Sequence, residues 1–192
     1  EGVPPARILA VTFTNKAAGE MRSRVEALAP GKGAQVWLHT FHAFCARLLR
    51  QHAELIKISR HFTIYDSDDQ KRLVGQAFVE LGMEDQKNKA GLYVSVISRA
   101  KDDLLDAKSY AIHAMTASDP FRRTVAQVYE KYQARLDAAG CLDFGDLLLK
   151  AVSLLKEHDS VREYYQELFL HVLVDEYQDT NRAQYLLTKT LG

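Results

Sequence analysis

The chain has 192 residues, 47% of them hydrophobic and 26% charged, a composition that supports one or two globular domains with a real core. Lys plus Arg and Asp plus Glu number 25 each, which excludes a polybasic nucleic-acid tail and an acidic solvating segment. No stretch approaches the ~20 apolar residues of a membrane span, and no charged-then-apolar leader opens the chain. The start at Glu1, without an initiator Met, is expected to mark a fragment. Cys45 and Cys141 have neither CxxC nor Cys/His cluster spacing. They are expected to be reduced thiols of a cytoplasmic protein, with no disulfide or zinc framework.

Zero net charge hides a division along the chain. Residues 1–60 carry nine Lys/Arg against four Glu, a net +5, whereas residues 143–181 carry three Lys/Arg against nine Asp/Glu, a net −6. A basic and an acidic part in one chain fit a polyanion-binding face beside a metal site, or two solvated surfaces. The motifs decide between them.

In chain order, Arg7-Ile-Leu-Ala-Val-Thr-Phe-Thr14 is a short apolar run rich in strand formers and predicts a buried strand. Thr14 caps a helix with Ala17, Met21, Val25 and Leu28 at helical spacing, stopped by Pro30 and Gly31. Gln35–His39 predicts a second strand. Thr40 caps another helix with the stripe Phe41, Phe44, Cys45, Leu48 and Leu49. Strand, helix, strand and helix with continuous apolar strands is the pattern of a parallel α/β sheet.

The middle is helical. Ser67 and Gln70 have capping-box spacing ahead of Leu73, Val74, Ala77, Phe78 and Leu81, which share one helical face up to Gly82. Ala90, Val94, Ile97 and Lys101 keep helical spacing. Asp119-Pro120 opens a helix through Val125, Val128, Tyr129, Tyr132 and Leu136, closed by Gly140, with both tyrosines assigned to the core. Residues 66–140 therefore read as all-helical. Asp143 opens a further amphipathic helix, and a short one follows at Val161–Leu168. Leu168–Val174 returns to a buried strand ending at Asp175-Glu176, and Thr180 or Asn181 caps a last helix. The only flexible-looking stretches are Pro30–Gly33 and Glu84–Gly91.

Three segments carry chemistry. In His171-Val-Leu-Val-Asp175-Glu176-Tyr-Gln-Asp179-Thr-Asn181, two carboxylates fall at the C-terminal edge of a central parallel strand, where α/β folds bind ligands. One there can hold Mg²⁺ through water, and the next can take a proton from an attacking water, as nucleotide hydrolysis requires. In Thr12–Met21 a strand ends in a polar aromatic turn and enters a helix whose N-terminus favours anions, with Asn15 and Lys16 in reach of phosphates. Phe13 offers a stacking surface for a base. His39-Thr-Phe-His42 repeats the design, with a hydroxyl and an imidazole beside a helix N-terminus.

The sequence resembles the UvrD/Rep-type superfamily 1 DNA helicases. ILAVTFTNKAAGEM resembles that family's motif Ia, LHTFHAFCARLLR its motif Ib and VLVDEYQDTN its motif II. FTIYDSDDQ and LDFGDLL resemble the segments that enter and leave an inserted helical subdomain. The resemblance implies an α/β fold: a RecA-like parallel sheet, part of a P-loop NTPase domain, interrupted by an all-helical subdomain. It assigns residues 1–65 and 141–192 to the motor subdomain and 66–140 to the insertion. It also implies ATP and Mg²⁺ as cofactors, with Asp175 ligating the metal through water and Glu176 activating the hydrolytic water. Gln178 falls in the same nucleotide site, and Asp179 in the same box. Phe13, Thr14, Asn15 and Lys16 fall on a single-stranded DNA track, with Thr40 and His42 touching its backbone. The partners implied are single-stranded DNA, single/double-strand junctions and the remaining helicase domains of the same chain, in DNA repair or a related pathway.

No GxxxxGK[ST] loop occurs, and Gly31-Lys32-Gly33 is too short to replace one. By the same resemblance, the second motor subdomain and its arginine finger are expected to lie outside these 192 residues. The isolated chain is therefore expected neither to bind ATP tightly nor to unwind DNA. Two other readings remain: a metal-dependent nuclease using Asp143, Asp146, Asp175, Glu176 and Asp179, and a non-catalytic nucleic-acid or protein-binding module.

Overall fold

Apolar and β-branched side chains over Ile8–Thr12 form the first strand, β1, which is buried at every position after Ile8. In the computed structural model, which describes residues 2–192, β1 is the middle strand of a parallel three-stranded sheet. Its neighbours are β2 (Trp37–Thr40) and β5 (His171–Val174), in the order β2-β1-β5. Parallel strands need crossover connections, and α1 (Asn15–Leu28) supplies the one between β1 and β2, while α2 (Phe41–Gln51) leaves β2. The mixed α/β fold, with a small parallel sheet and many helices, is that of a partial RecA-like domain. No helix among the described residues is long and apolar enough to cross a membrane.

Contacts divide the chain into two compact units, Glu1–Ile56 with Lys150–Gly192, and Lys57–Leu149. In the first, Leu9, Val11 and Leu38 of the sheet are buried together with Phe41, Phe44, Cys45, Leu48 and Leu49 of α2. Burial pushes the Cys45 thiol well above its usual range, so it behaves as a small apolar side chain. α7 (Phe144–Glu157) leads the chain back into this unit, followed by α8 (Asp159–Leu168) and α9 (Arg182–Leu191). Tyr165 of α8 stacks on Phe169 with centroids 5.8 Å apart, and Phe44 meets both rings edge-on. The Tyr165 hydroxyl donates to Gln51 Oε1 at 3.1 Å, and burial pushes its pKa up to about 12.

Three features depart from the sequence pattern. β5 is an edge strand rather than a central buried one: Leu173 is 55% exposed, because among the described residues β5 has a neighbour only in β1. α1 forms as expected, yet it buries no residue, and Leu28 at its end is 86% exposed. The Pro30–Gly33 stretch is tied down by Glu26, whose carboxylate accepts from the amides of Gly31 at 2.6 Å and Gly33 at 3.1 Å. A Cβ at Gly33 would lie 2.6 Å from that carboxylate and 3.2 Å from the Glu26 backbone nitrogen, so any larger residue there displaces the Glu26 side chain from its two amides.

The second unit holds β3 (Thr63–Tyr65), α3 (Ser67–Glu80), α4 (Ala90–Asp102), α5 (Ala107–Thr116), α6 (Pro120–Ala139) and β4 (Cys141–Asp143). Residues 66–140 contain no strand, but β3 and β4 flank them and pair in parallel. These three-residue strands are too short to leave an alternating pattern in sequence. The capping box of α3 lies one residue earlier than its spacing implied. Asp66 accepts from the amides of Asp68 and Asp69, Asp69 accepts from the amide of Asp66, and Gln70 turns into the buried side. Leu73, Val74, Ala77, Phe78, Tyr93, Ile97, Val128, Tyr129, Tyr132 and Leu136 form the core.

Inside that unit lies a buried ionic network. Lys101 of α4 is 0% exposed, and its Nζ lies 2.7 Å from Asp143 Oδ2 and 2.8 Å from Asp146 Oδ1. Tyr132 donates to the same Asp143 oxygen at 2.6 Å, and burial, then Asp143, push its phenol pKa far up. The Asp146 amide donates to Asp143 Oδ1 at 2.7 Å, capping α7. Gly145 is the second close approach, where a Cβ would lie 2.9 Å from Lys101 Cβ.

Removing one partner of such a pair leaves an uncompensated buried charge. Lys101→Ala is therefore expected to cost about 3–5 kcal/mol in urea unfolding. Gly145→Ala forces Lys101 to shift and should cost about 1–3 kcal/mol. A loss within ~0.5 kcal/mol for both would mean that the ammonium is already hydrated.

Candidate functional site

Register determines which side chains meet. β1 pairs with β2 so that Thr12 faces Thr40, and with β5 so that Val11 faces Val174. All three strands are parallel, so their C-terminal ends, and the turns that follow, emerge on one edge of the sheet. The Asp175 amide extends the ladder by one step, donating to the Val11 carbonyl at 3.0 Å. Thr12 Oγ1 reaches the Asp175 carboxylate at 3.5 Å.

Past Asp175 the chain turns sharply. Glu176 has φ 51° and ψ 45°, the left-handed region that non-glycine residues seldom occupy, and it opens the 3-10 turn Tyr177–Asp179. Asp179 N–H donates to the Glu176 carbonyl at 2.9 Å, which closes the turn. Gln178 Nε2 donates to the Glu176 carboxylate, so Gln178 restrains the direction of that side chain. Asp175, Glu176 and Asp179 are exposed, and among the described residues no Lys or Arg forms an ion pair with any of them.

Two helices begin beside them. Thr14 Oγ1 accepts from the Ala17 amide at 3.1 Å and starts α1, and Thr40 Oγ1 accepts from the Ala43 amide at 3.2 Å and starts α2. Both hydroxyls are therefore engaged as caps, and Thr40 is buried. Phe13 is half-buried, its ring centroid 5.4 Å from that of Phe41 at a tilt of 59°. Asn15 and Lys16 are exposed in the first turn of α1, and Lys16 lies 4.0 Å from Glu20. Such a pair, four residues apart on an exposed helix face, is weak and leaves the ammonium available to an anion. His42, in the first turn of α2, is half-buried, and burial lowers its pKa.

The strand-end edge thus gathers Phe13, Thr14, Asn15, Lys16, Thr40, His42, Asp175, Glu176 and Gln178. Thr12 carried no assigned role in sequence; its signal was its place as the last residue of a strand facing another strand-end threonine. Asp143 and Asp146 belong to the other compact unit, where both are paired with Lys101. Among the described residues no group of three or more His, Cys, Asp or Glu can hold a metal ion. Mg²⁺ does not require one, because it is commonly held by one or two carboxylates, several waters and substrate phosphates. Hard oxygen donors, exposed and unpaired with any cation, fit such an ion.

The chain matches the UvrD/REP helicase N-terminal domain over residues 1–192. It is 44% identical over 191 residues to the ATP-dependent DNA helicase UvrD1 of Mycobacterium tuberculosis, covering 99% of this chain and 25% of that protein. It is 44% identical over 188 residues to UvrD1 of Mycobacterium leprae, covering 97% of this chain and 24% of that protein. It is 41% identical over 190 residues to the ATP-dependent DNA helicase PcrA of Staphylococcus aureus, covering 99% of this chain and 26% of that protein. The chain therefore spans about a quarter of the length of the curated relatives it matches.

Burial lowers the pKa of His39, His42 and His52 alike, with the Arg47 and Arg22 charges adding to the effect at His39 and the His158 charge at His52. The unfolded chain then binds protons at a pH where these folded imidazoles do not. Stability should be full above about pH 6.5, the unfolded histidine value, and should fall as pH drops below it. The thermal midpoint is expected to decline between pH 7.5 and 5.5, less steeply in His52→Gln. A flat midpoint would mean that the imidazoles titrate as they do in water.

Proposed function

The chain belongs to the UvrD/REP helicase N-terminal domain family, and from that premise we infer that it is the motor segment of an ATP-dependent DNA helicase, holding half of the nucleotide site and part of a single-stranded DNA track. In this reading residues 1–65 and 141–192 form the motor subdomain and 66–140 the insertion. The two compact units support a division of this kind, although β3 and β4 belong with the insertion's unit.

One observation carries the proposal: the unpaired carboxylates of Asp175 and Glu176 share a sheet edge with Phe13 and two helix N-termini. Asp175, braced by its ladder amide and by Thr12, would hold Mg²⁺ through water. That ion, when bound, neutralises charge on the β- and γ-phosphate oxygens. Glu176, turned outward by its left-handed backbone and steadied by Gln178, would accept the proton of the attacking water. Phe13 would stack on a base, and Asn15, Lys16, Thr14, Thr40 and His42 would meet the DNA backbone around the starts of α1 and α2. Single-strand/duplex junctions and the remaining helicase domains are the proposed partners, and DNA repair the proposed setting.

The nuclease reading has lost two of its five ligands, since Asp143 and Asp146 are neutralised by Lys101. The chain contains no GxxxxGK[ST] loop to cradle phosphates, so the 192 residues alone are proposed to hydrolyse no ATP.

In a longer protein that joins this chain to the phosphate-binding loop and second motor subdomain, Glu176→Gln should cut DNA-stimulated ATP hydrolysis by at least ~10²-fold while nucleotide binding holds. Phe13→Ala should weaken single-strand binding by about 1–3 kcal/mol. Undiminished hydrolysis in the Gln variant would remove Glu176 from the proposed role, and metal-dependent DNA cleavage without ATP would replace the motor reading altogether.

A further inference from the structure

A second feature of the first unit lies at the outer edge of β2. A recess of about 340 Å³ is lined by Arg22, Gln35, Trp37, His39 and Arg47, with Ala34 and Val36 completing it and no acidic side chain among them. Arg22 projects from α1 and is anchored by one bond, Nη2 to the Leu38 carbonyl at 2.9 Å. Arg47 projects from α2 and lies over the indole, its Cζ 3.9 Å from the Trp37 ring centre. Trp37 is itself held by Phe169, edge-on at 5.3 Å. Two guanidinium groups from two helices thus converge beside one strand, each restrained by a neutral partner. Neither is paired with a carboxylate among the described residues.

A surface arginine usually finds an acidic neighbour or stays mobile in water. These two do neither, and the positive field is felt locally: Arg47 and Arg22 add to burial in holding the His39 imidazole neutral. Restrained forks with unused donors match the planar, bidentate recognition of a phosphate, because little side-chain freedom remains to be lost on binding. Trp37 lies three residues before Thr40, about 10 Å along β2 at the usual rise per residue, so the recess is distinct from the strand-end residues. At about 340 Å³ it is wider than a single phosphate needs, which suits a chain-borne phosphodiester better than a free ion.

We propose that the Arg22–Trp37–Arg47 recess is a second polynucleotide site, taking a backbone phosphodiester of single-stranded DNA away from the strand-end edge. The assignment of the phosphodiester to DNA rests on the motor reading above, whereas the preference for a phosphate rests on the recess alone.

Trp37 is the only tryptophan in the chain, so tryptophan emission originates at this recess. Titrating the 192-residue chain with an oligothymidylate of about twelve nucleotides should change Trp37 emission saturably. Inorganic phosphate should do so only at far higher concentration. With a labelled oligonucleotide, Arg47→Gln should lower affinity about tenfold and reduce the slope of log K against log salt by about 0.7, while Arg47→Lys keeps most of that slope. Arg22→Gln is the second variant, and circular dichroism of each variant confirms an unchanged fold. Unchanged affinity and slope in both variants would make the two arginines mere covers for Trp37 and the β2 edge. Equal saturation by inorganic phosphate would make the recess a free-anion site and overturn the polynucleotide assignment. Phe13→Ala separates the two proposals: loss of binding there but not in Arg47→Gln removes the recess alone, and the converse removes the strand-end track alone.

Discussion

The parallel pairing of β1 with a strand on each side is the constraint on which everything else in the first unit depends. β1 is only five residues long, yet its backbone fixes the height of Thr40 through β2 and of Asp175 through β5. Parallel ladders have one direction, so three separate stretches of sequence, more than a hundred residues apart at the extremes, deliver their turns to one edge. A one-residue slip in the β1–β5 pairing would turn every β5 side chain to the other face and move the Asp175 amide off the Val11 carbonyl. The alternation within β5 resists that slip: Val172 and Val174 are half-buried while His171 and Leu173 are exposed, and it is the inward-facing residues that specify the register.

Two pairs of carboxylates in this chain have opposite fates, and the contrast is chemical. Asp143 and Asp146 are buried, bonded to Lys101, to Tyr132 and to backbone amides, so their charge is consumed in holding α4, α6, β4 and α7 together. Burial makes that arrangement unforgiving, because desolvation disfavours each ion and only complete pairing offsets it. Asp175 and Glu176 stand in water with hydrogen bonds from a threonine and a glutamine and no cation beside them. Only the second pair remains free to meet a metal ion or a proton. Sequence spacing alone, Asp-x-x-Asp against Asp-Glu, does not separate a neutralised pair from an unpaired one. The distinguishing residue, Lys101, lies 42 positions from Asp143.

What was legible in the sequence was local. Thr14, Thr40, Asp119 and Asn181 cap their helices, and Gly140 closes α6 at φ 63°, because a cap is decided within three or four residues. The strand-end carboxylates were legible for the same reason, as an apolar run stopping at a charge. The α3 capping box starts at Asp66 rather than Ser67, since both are good caps and only the burial of Gln70 separates them. The hidden features were assembled from distance. β3 and β4 exist only as partners of each other, the Lys101 network joins residues on separate elements, and the β2-edge recess needs α1, β2 and α2 at once.

Charge follows the same logic. Net charge along the sequence, +5 in residues 1–60 and −6 in residues 143–181, overstates what is available to a ligand. In the acidic segment Lys101 neutralises Asp143 and Asp146, and Arg162 pairs with Asp159 at 2.8 Å, while Asp175, Glu176 and Asp179 stay unpaired. In the basic segment Arg7 is bonded to the carbonyls of Glu167 and Leu168, and Lys16 leans toward Glu20, while Arg22 and Arg47 face no carboxylate among the described residues. Asp175, Glu176 and Asp179 thus sit at and just past the end of β5, and Arg22 and Arg47 beside β2, with β1 between the two strands. A buried strand separating unpaired acids from unpaired bases keeps each set from quenching the other. The two sets are thereby left open to ligands of opposite charge.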